Sequence, residues 1–120
     1  MSLKDSYTSA WEAVSLSFSA NASVSENLNL GGFRLFSLVF PESFNGDVVS
    51  FQASYDQGSN WHDIWKDGAE YTLAVGEGKN CNVDIQLFSA VPMLRLRAGS
   101  ADTPVTQSQA VSLSLVLRGI

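Results

Sequence analysis

Residues 14–19, VSLSFS, set Val14, Leu16 and Phe18 against Ser15, Ser17 and Ser19 in strict alternation. Side chains of an extended chain point alternately to its two faces, so this hexapeptide describes a strand with one apolar and one polar face. The same period of two recurs at 24–30, in VVSFQASY (48–55), VDIQLF (83–88), MLRLRA (93–98) and VSLSLVLR (111–118). FRLFSLVF (33–40) is apolar on both faces, as a central strand buried between layers would be. WHDIW (61–65) and EYTLAV (70–75) bring the expectation to eight or nine short strands, and no stretch shows a helical period.

The segments between these strands are rich in turn residues: NLGG, FPESFNGD, DQGSN, KDGAE, VGEGKN, SAVP and the longer GSADTPVTQS. Gly, Asn and Asp supply the positive φ that tight turns need, and Pro41 and Pro92 stand outside the alternating interiors. Short strands at this spacing predict an all-β fold, an antiparallel β-sandwich of jelly-roll or other Greek-key type. With 120 residues, 45% hydrophobic and 16% charged, the chain suits one globular domain. The expected division is a flexible N-terminal arm at 1–10 and a single sandwich at 11–120, with the polar 99–110 segment as a mobile arm or surface loop.

Composition also narrows the function. The longest uncharged apolar run, LFSLVF (35–40), is strand-sized, so no membrane partner is expected. A net charge of −5 opposes a phosphate backbone, and the seven basic residues are scattered, so no nucleic-acid partner is expected. The opening residues lack the apolar core of a secretory signal, and Cys81 is the single cysteine, which together suggest synthesis in a cytosol. In that setting the NAS sequon at Asn21 carries no weight.

SYDQGSNW (54–61) resembles the Asp-box of sialidases and related propellers, with Asn60 where that motif has Thr or Ser. In the motif the Asp carboxylate accepts hydrogen bonds from turn amides, Gly permits the bend and Trp packs beneath. A sialidase would need several copies and an arginine cluster; here there is one copy and four arginines. The motif therefore assigns Asp56, Gly58 and Trp61 to a structural turn. A calcium site at Asp56 lacks the acidic spacing of a loop site. His62 has no second imidazole for a metal, and Cys81 would need His62 beside it to act as a nucleophile. Asp63, Asp67 and Glu70 read as a solvated hairpin. No catalytic residue, metal or cofactor is expected. Trp61 and Trp65, four apart in one expected strand, share a face, which is either core or a flat platform for a sugar.

The segments 35–73 and 93–118 resemble the small jelly-roll cement or decoration proteins of tailed-phage capsids. The resemblance lies in Phe40 and Pro41 before the Gly46-Asp47 corner, the strand VSFQAS, the DG hairpin with Tyr71, and LRLRAGS followed by Pro104 and Val105. It implies a non-enzymatic virion protein, made in the host cytoplasm, that sits on the capsid exterior and bridges major capsid subunits. A homo-dimer is the first expectation and a trimer the second. Tyr7, Trp11 and Trp65 are the candidate partner contacts. The competing class is a carbohydrate-binding module, tail-associated or enzyme-appended, that uses Trp61 and Trp65.

Overall fold

The computed structural model describes residues 11–75 and 80–119, and Phe36 through its backbone only. Two antiparallel sheets pack face to face. One has the order β1 (Trp11–Phe18), β11 (Val111–Arg118), β3 (Arg34–Val39) and β9 (Asn80–Asn82). The other runs β2 (Leu28–Asn29), β10 (Met93–Ala98), β4 (Val48–Ser54) and β5 (His62–Asp63), with β8 (Thr72–Ala74) also paired to β4. A separate hairpin joins β6 (Trp65–Lys66) and β7 (Ala69–Glu70). The architecture is an all-β antiparallel sandwich.

Alternation fixes which residues enter the core. Leu16 and Phe18 of β1 face inward with Leu113, Leu115 and Leu117 of β11, while Ser17 and Ser112 meet on the outer face through their hydroxyls at 2.9 Å. Val49, Phe51 and Ala53 of β4 and Leu94, Leu96 and Ala98 of β10 supply the opposite wall. Two groups of rings fill the space: Phe18 and Phe40 edge-on to Phe44, and Phe51 with Phe88 and Tyr71. The Phe–Phe pairs are edge-to-face and the Phe51–Tyr71 pair is tilted, and such contacts add to the burial of large apolar areas.

Several expected strands take a different form. Of 24–30, Leu28–Asn29 is strand and Val24 makes a single bridge to Arg97, because Ser25 and Glu26 turn their hydrogen bonds to Leu96 and Ser17. The 83–88 segment is a 3-10 turn at Ile85–Phe88, since the Asp84 carboxylate accepts from the Gln86 amide and caps it. The expected strands 61–65 and 70–75 are one strand along β4 interrupted by a hairpin. His62 and Asp63 pair with Ala53 and Gln52, Thr72–Ala74 continue along Ser50–Val48, and the excursion closes where Tyr71 N donates to Ile64 O at 2.9 Å. Asp67 and Gly68 both have positive φ (54° and 81°), the type I′ geometry that matches strand twist.

The 99–110 segment is a surface loop fastened at both ends. Gly99 N donates to Val48 O and Val105 N to Ala98 O, both at 2.8 Å. Gln107 is fully buried, with its side-chain amide paired to the backbone N–H and C=O of Asn45, each at 2.9 Å. Gly99 adopts φ +85°, and a Cβ there would overlap the Thr103 carbonyl oxygen. Gly32 has a similar φ of +89° with open space around it. Gly99→Ala is therefore expected to cost about 3 kcal/mol or more and Gly32→Ala only about 1 kcal/mol. Urea unfolding of the two variants measures this, and equal losses would show that the Thr103 contact contributes nothing.

Candidate functional site

The side chains with chemical interest gather on the outer face of the β4–β10 sheet and on the turn beyond β4. The turn is built from its hydroxyl and carboxylate. Ser54 Oγ accepts the Gly58 amide at 2.8 Å and donates to Asp56 Oδ1 at 2.8 Å. Asp56 Oδ1 also accepts the Asn60 amide at 2.9 Å, and Asp56 Oδ2 accepts the Asn60 side-chain amide at 2.7 Å. Asn60, the departure from the Asp-box pattern, thus adds a bond through its longer side chain. Gln57 and Gly58 take positive φ of 59° and 91°, and Trp61 Nε1 donates to Gly58 O at 3.1 Å. Trp61 is half-buried, with the Arg95 guanidinium 4.4 Å above its ring, a cation–π contact.

From Arg95 a polar network crosses the sheet. Arg95 Nε donates to Gln52 Oε1 at 2.7 Å, and Gln52 Nε2 donates to Asp63 Oδ1 at 3.0 Å. Arg97, only 9% exposed, donates through Nη2 to Asp63 at 2.9 Å and to Glu70 at 2.6 Å, and through Nε to Ser50 Oγ at 3.0 Å. Glu70 in turn accepts the Ala101 amide at 3.1 Å. Burial lowers the pKa of Arg95, and the Arg97 charge adds to that effect while Asp63 opposes it. Guanidinium groups stay charged in proteins all the same. Asp63 and Glu70, expected on a solvated hairpin, are the anions of a largely buried arginine. Asp67 alone of the three occupies the exposed turn.

Trp61 and Trp65 do not form one platform. Ile64 donates to Phe51 O and ends β5, so Trp65 starts the separate β6–β7 hairpin, where it is 60% exposed opposite Glu70. Lys66 Nζ of that hairpin pairs with Asp84 at 2.7 Å, which raises the lysine pKa and lowers that of the carboxyl. Trp11 opens β1 and is 57% exposed. Tyr7 and the expected arm lie outside the described residues. His62 and Cys81 stand in different sheets, on β5 and β9. Among the described residues no group of three His, Cys, Asp or Glu side chains is placed to hold a metal.

Sequence reasoning missed a groove of about 300 Å³ beside the turn, lined by Asn29, Ser54, Tyr55, Gln57, Pro92 and Met93. Tyr55, 65% exposed, is its most open large side chain. The end of a strand that ought to alternate inward signalled it: Tyr55 follows Ser54 past the last pair of the ladder, Ser54 with Met93. No family model, curated protein or solved structure matches the chain.

The Asp56 turn gives a pH test. Hydrogen bonds from the Asn60 side chain, the Asn60 amide and the Ser54 hydroxyl lower its pKa from 3.8 to about 2. A carboxyl whose folded pKa is depressed contributes stability above its unfolded pKa and loses it as pH falls through the folded value. The gap in melting temperature between wild type and Asp56→Ala is therefore expected to be constant above about pH 5 and to shrink between about pH 4 and 2. Thermal melts across this range check it, and a gap unchanged down to pH 2 would remove the carboxylate charge from the account.

Proposed function

We propose that this chain is a non-enzymatic structural protein of a tailed-phage virion, a decoration protein that binds the capsid exterior and bridges major capsid subunits. The observation that carries the reading is the placement of Trp11. It lies 57% exposed in β1, where Trp11, Glu12 and Ala13 are exposed in succession on a strand paired with β11 as far as Arg118. Exposed large aromatics are among the side chains enriched at the energetic centres of protein interfaces. The resemblance over 35–73 and 93–118 supports the same role. Trp65, exposed on its own hairpin, is a second contact of the same kind.

A bridging role sets a thermodynamic condition. A small domain touching several subunits gains avidity when they are held at fixed spacing, because each further contact then avoids most of the association entropy. Salt has a modest effect, since the chain has few charges to screen. The groove at Tyr55 favours a second reading, a carbohydrate module, in which Tyr55 stacks on a sugar and Asn29 and Gln57 bond its hydroxyls. In that reading Trp61, under Arg95, supports the surface rather than contacting the sugar.

The test uses shells of the virion whose genes adjoin this one, stripped of the protein, and unassembled major capsid subunits. Co-sedimentation is expected with shells and not with free subunits, and Trp11→Ala is expected to weaken it at least about tenfold. Equal binding to both forms would sink the lattice argument. A glycan array is expected to stay silent, and a specific signal abolished by Tyr55→Ala would establish the second reading instead.

A further inference from the structure

β1 is an edge strand, and its free side is divided in two. At Ser17 the outward N–H donates to the Glu26 carboxylate at 2.8 Å and the outward C=O accepts the Glu26 amide at 3.0 Å. Ser17 is therefore a non-hydrogen-bonded partner of Ser112 in the β1–β11 ladder, as their touching hydroxyls also show. Register between the strands is unbroken from Phe18 to Trp11, so Trp11, Ala13 and Ser15 likewise point N–H and C=O away from β11. Among the described residues nothing pairs with these groups. Edges left open in this way are templates for another strand unless a charge, proline, bulge or cover blocks them. Glu26 is such a cover at one end; at the other, among the described residues, Glu12 is the one charge and no proline, bulge or cover is present.

We propose that Trp11–Ser15 of β1 pairs antiparallel with the same segment of a second copy, about a two-fold axis at Ala13. The edge is complementary to itself in this register. Ala13 faces its own counterpart as a hydrogen-bonded pair, and its side chain is small enough for the two to meet on the axis. Trp11 falls opposite Ser15 of the second copy, so the large ring lies over a small side chain with the Ser114 row behind it. Glu12 falls opposite Val14 rather than opposite another carboxylate. Every open N–H and C=O of the segment finds a partner, and Glu26 ends the pairing after Ser15 in both copies. The result is one sheet continuous through both copies. This specifies the dimer that the decoration reading expects, but it rests on backbone geometry in the free protein and is tested without capsid.

Sedimentation of the whole chain decides it, with two variants. Ala13→Pro removes the N–H at the axis, which the intrachain ladder does not use, and proline is tolerated at such edge positions. The wild type is expected to sediment as a dimer at on the order of 100 μM. Ala13→Pro is expected to raise its dissociation constant at least about tenfold while its far-UV circular dichroism is unchanged. The second variant keeps the question answerable should the proline chain fail to fold. In a Cys81→Ser background, Ala13→Cys is expected to form a disulfide dimer under mild oxidation, since hydrogen-bonded antiparallel partners have Cα atoms about 5.5 Å apart. Ser17→Cys is expected to stay monomeric on a denaturing gel, its sulfurs being on the order of 25–30 Å apart in this register. A wild-type monomer, a folded Ala13→Pro chain that dimerises as well as wild type, or equal cross-linking at 13 and 17 each overturns the proposal. A capsid that still binds the monomeric variant would leave the decoration reading intact.

Discussion

The guanidinium of Arg97 ties β10 to β4, to β5 and to the β6–β7 hairpin. It lies on the outer face of β10, yet it is nearly excluded from solvent and bonded to Ser50, Asp63 and Glu70. Removing a partner from a buried ion pair leaves an uncompensated charge, a far larger cost than the pair's own net contribution. Here the loss would leave two carboxylates facing each other. The fork of N–H donors is what makes one cation sufficient, because Nη2 serves both anions while Nε serves the hydroxyl.

Everything attached to those anions inherits the constraint. Glu70 belongs to the hairpin that interrupts the strand along β4, and it also accepts the Ala101 amide, so hairpin and 99–104 loop converge on one carboxylate. Asp63 passes the constraint through Gln52 to Arg95, and Arg95 covers Trp61. Trp61 in turn bonds the Asp56 turn through Gly58 O. The outer face of this sheet is thus largely taken up by internal contacts. The opposite sheet presents Ala13, Ser15, Ser112 and Ser114 to solvent, with an open edge beside them. The arginine network accordingly serves stability, on the sheet opposite the β1 edge.

The serine alternation of 14–19 and 111–118 made the sandwich legible, because both strands bury one face and solvate the other and a period of two then survives intact. SYDQGSNW was legible as a turn because its bonds span at most four residues. Arg97 was not: MLRLRA reads as a strand with its charged face in water, and the anions that neutralise it lie 34 and 27 residues away. Gln107 hid for the same reason, since a glutamine in a polar stretch gives no sign that Asn45 will take both ends of its amide. At 83–88 the alternation was real, but a local bond from Asp84 to the Gln86 amide prevailed over strand pairing. The split of Trp61 from Trp65 required knowing that Ile64 and Tyr71 close on each other around a hairpin.

Amide hydrogen exchange of the Arg97→Met variant, compared with wild type residue by residue, tests the role given to this side chain most directly. Protection is expected to fall at Ala101, Tyr71 and Asn60, whose bonds depend on the network or adjoin it, while Leu16 and Leu115 in the opposite sheet keep theirs. Protection lost evenly across both sheets, or retained at Ala101 and Tyr71, would contradict it.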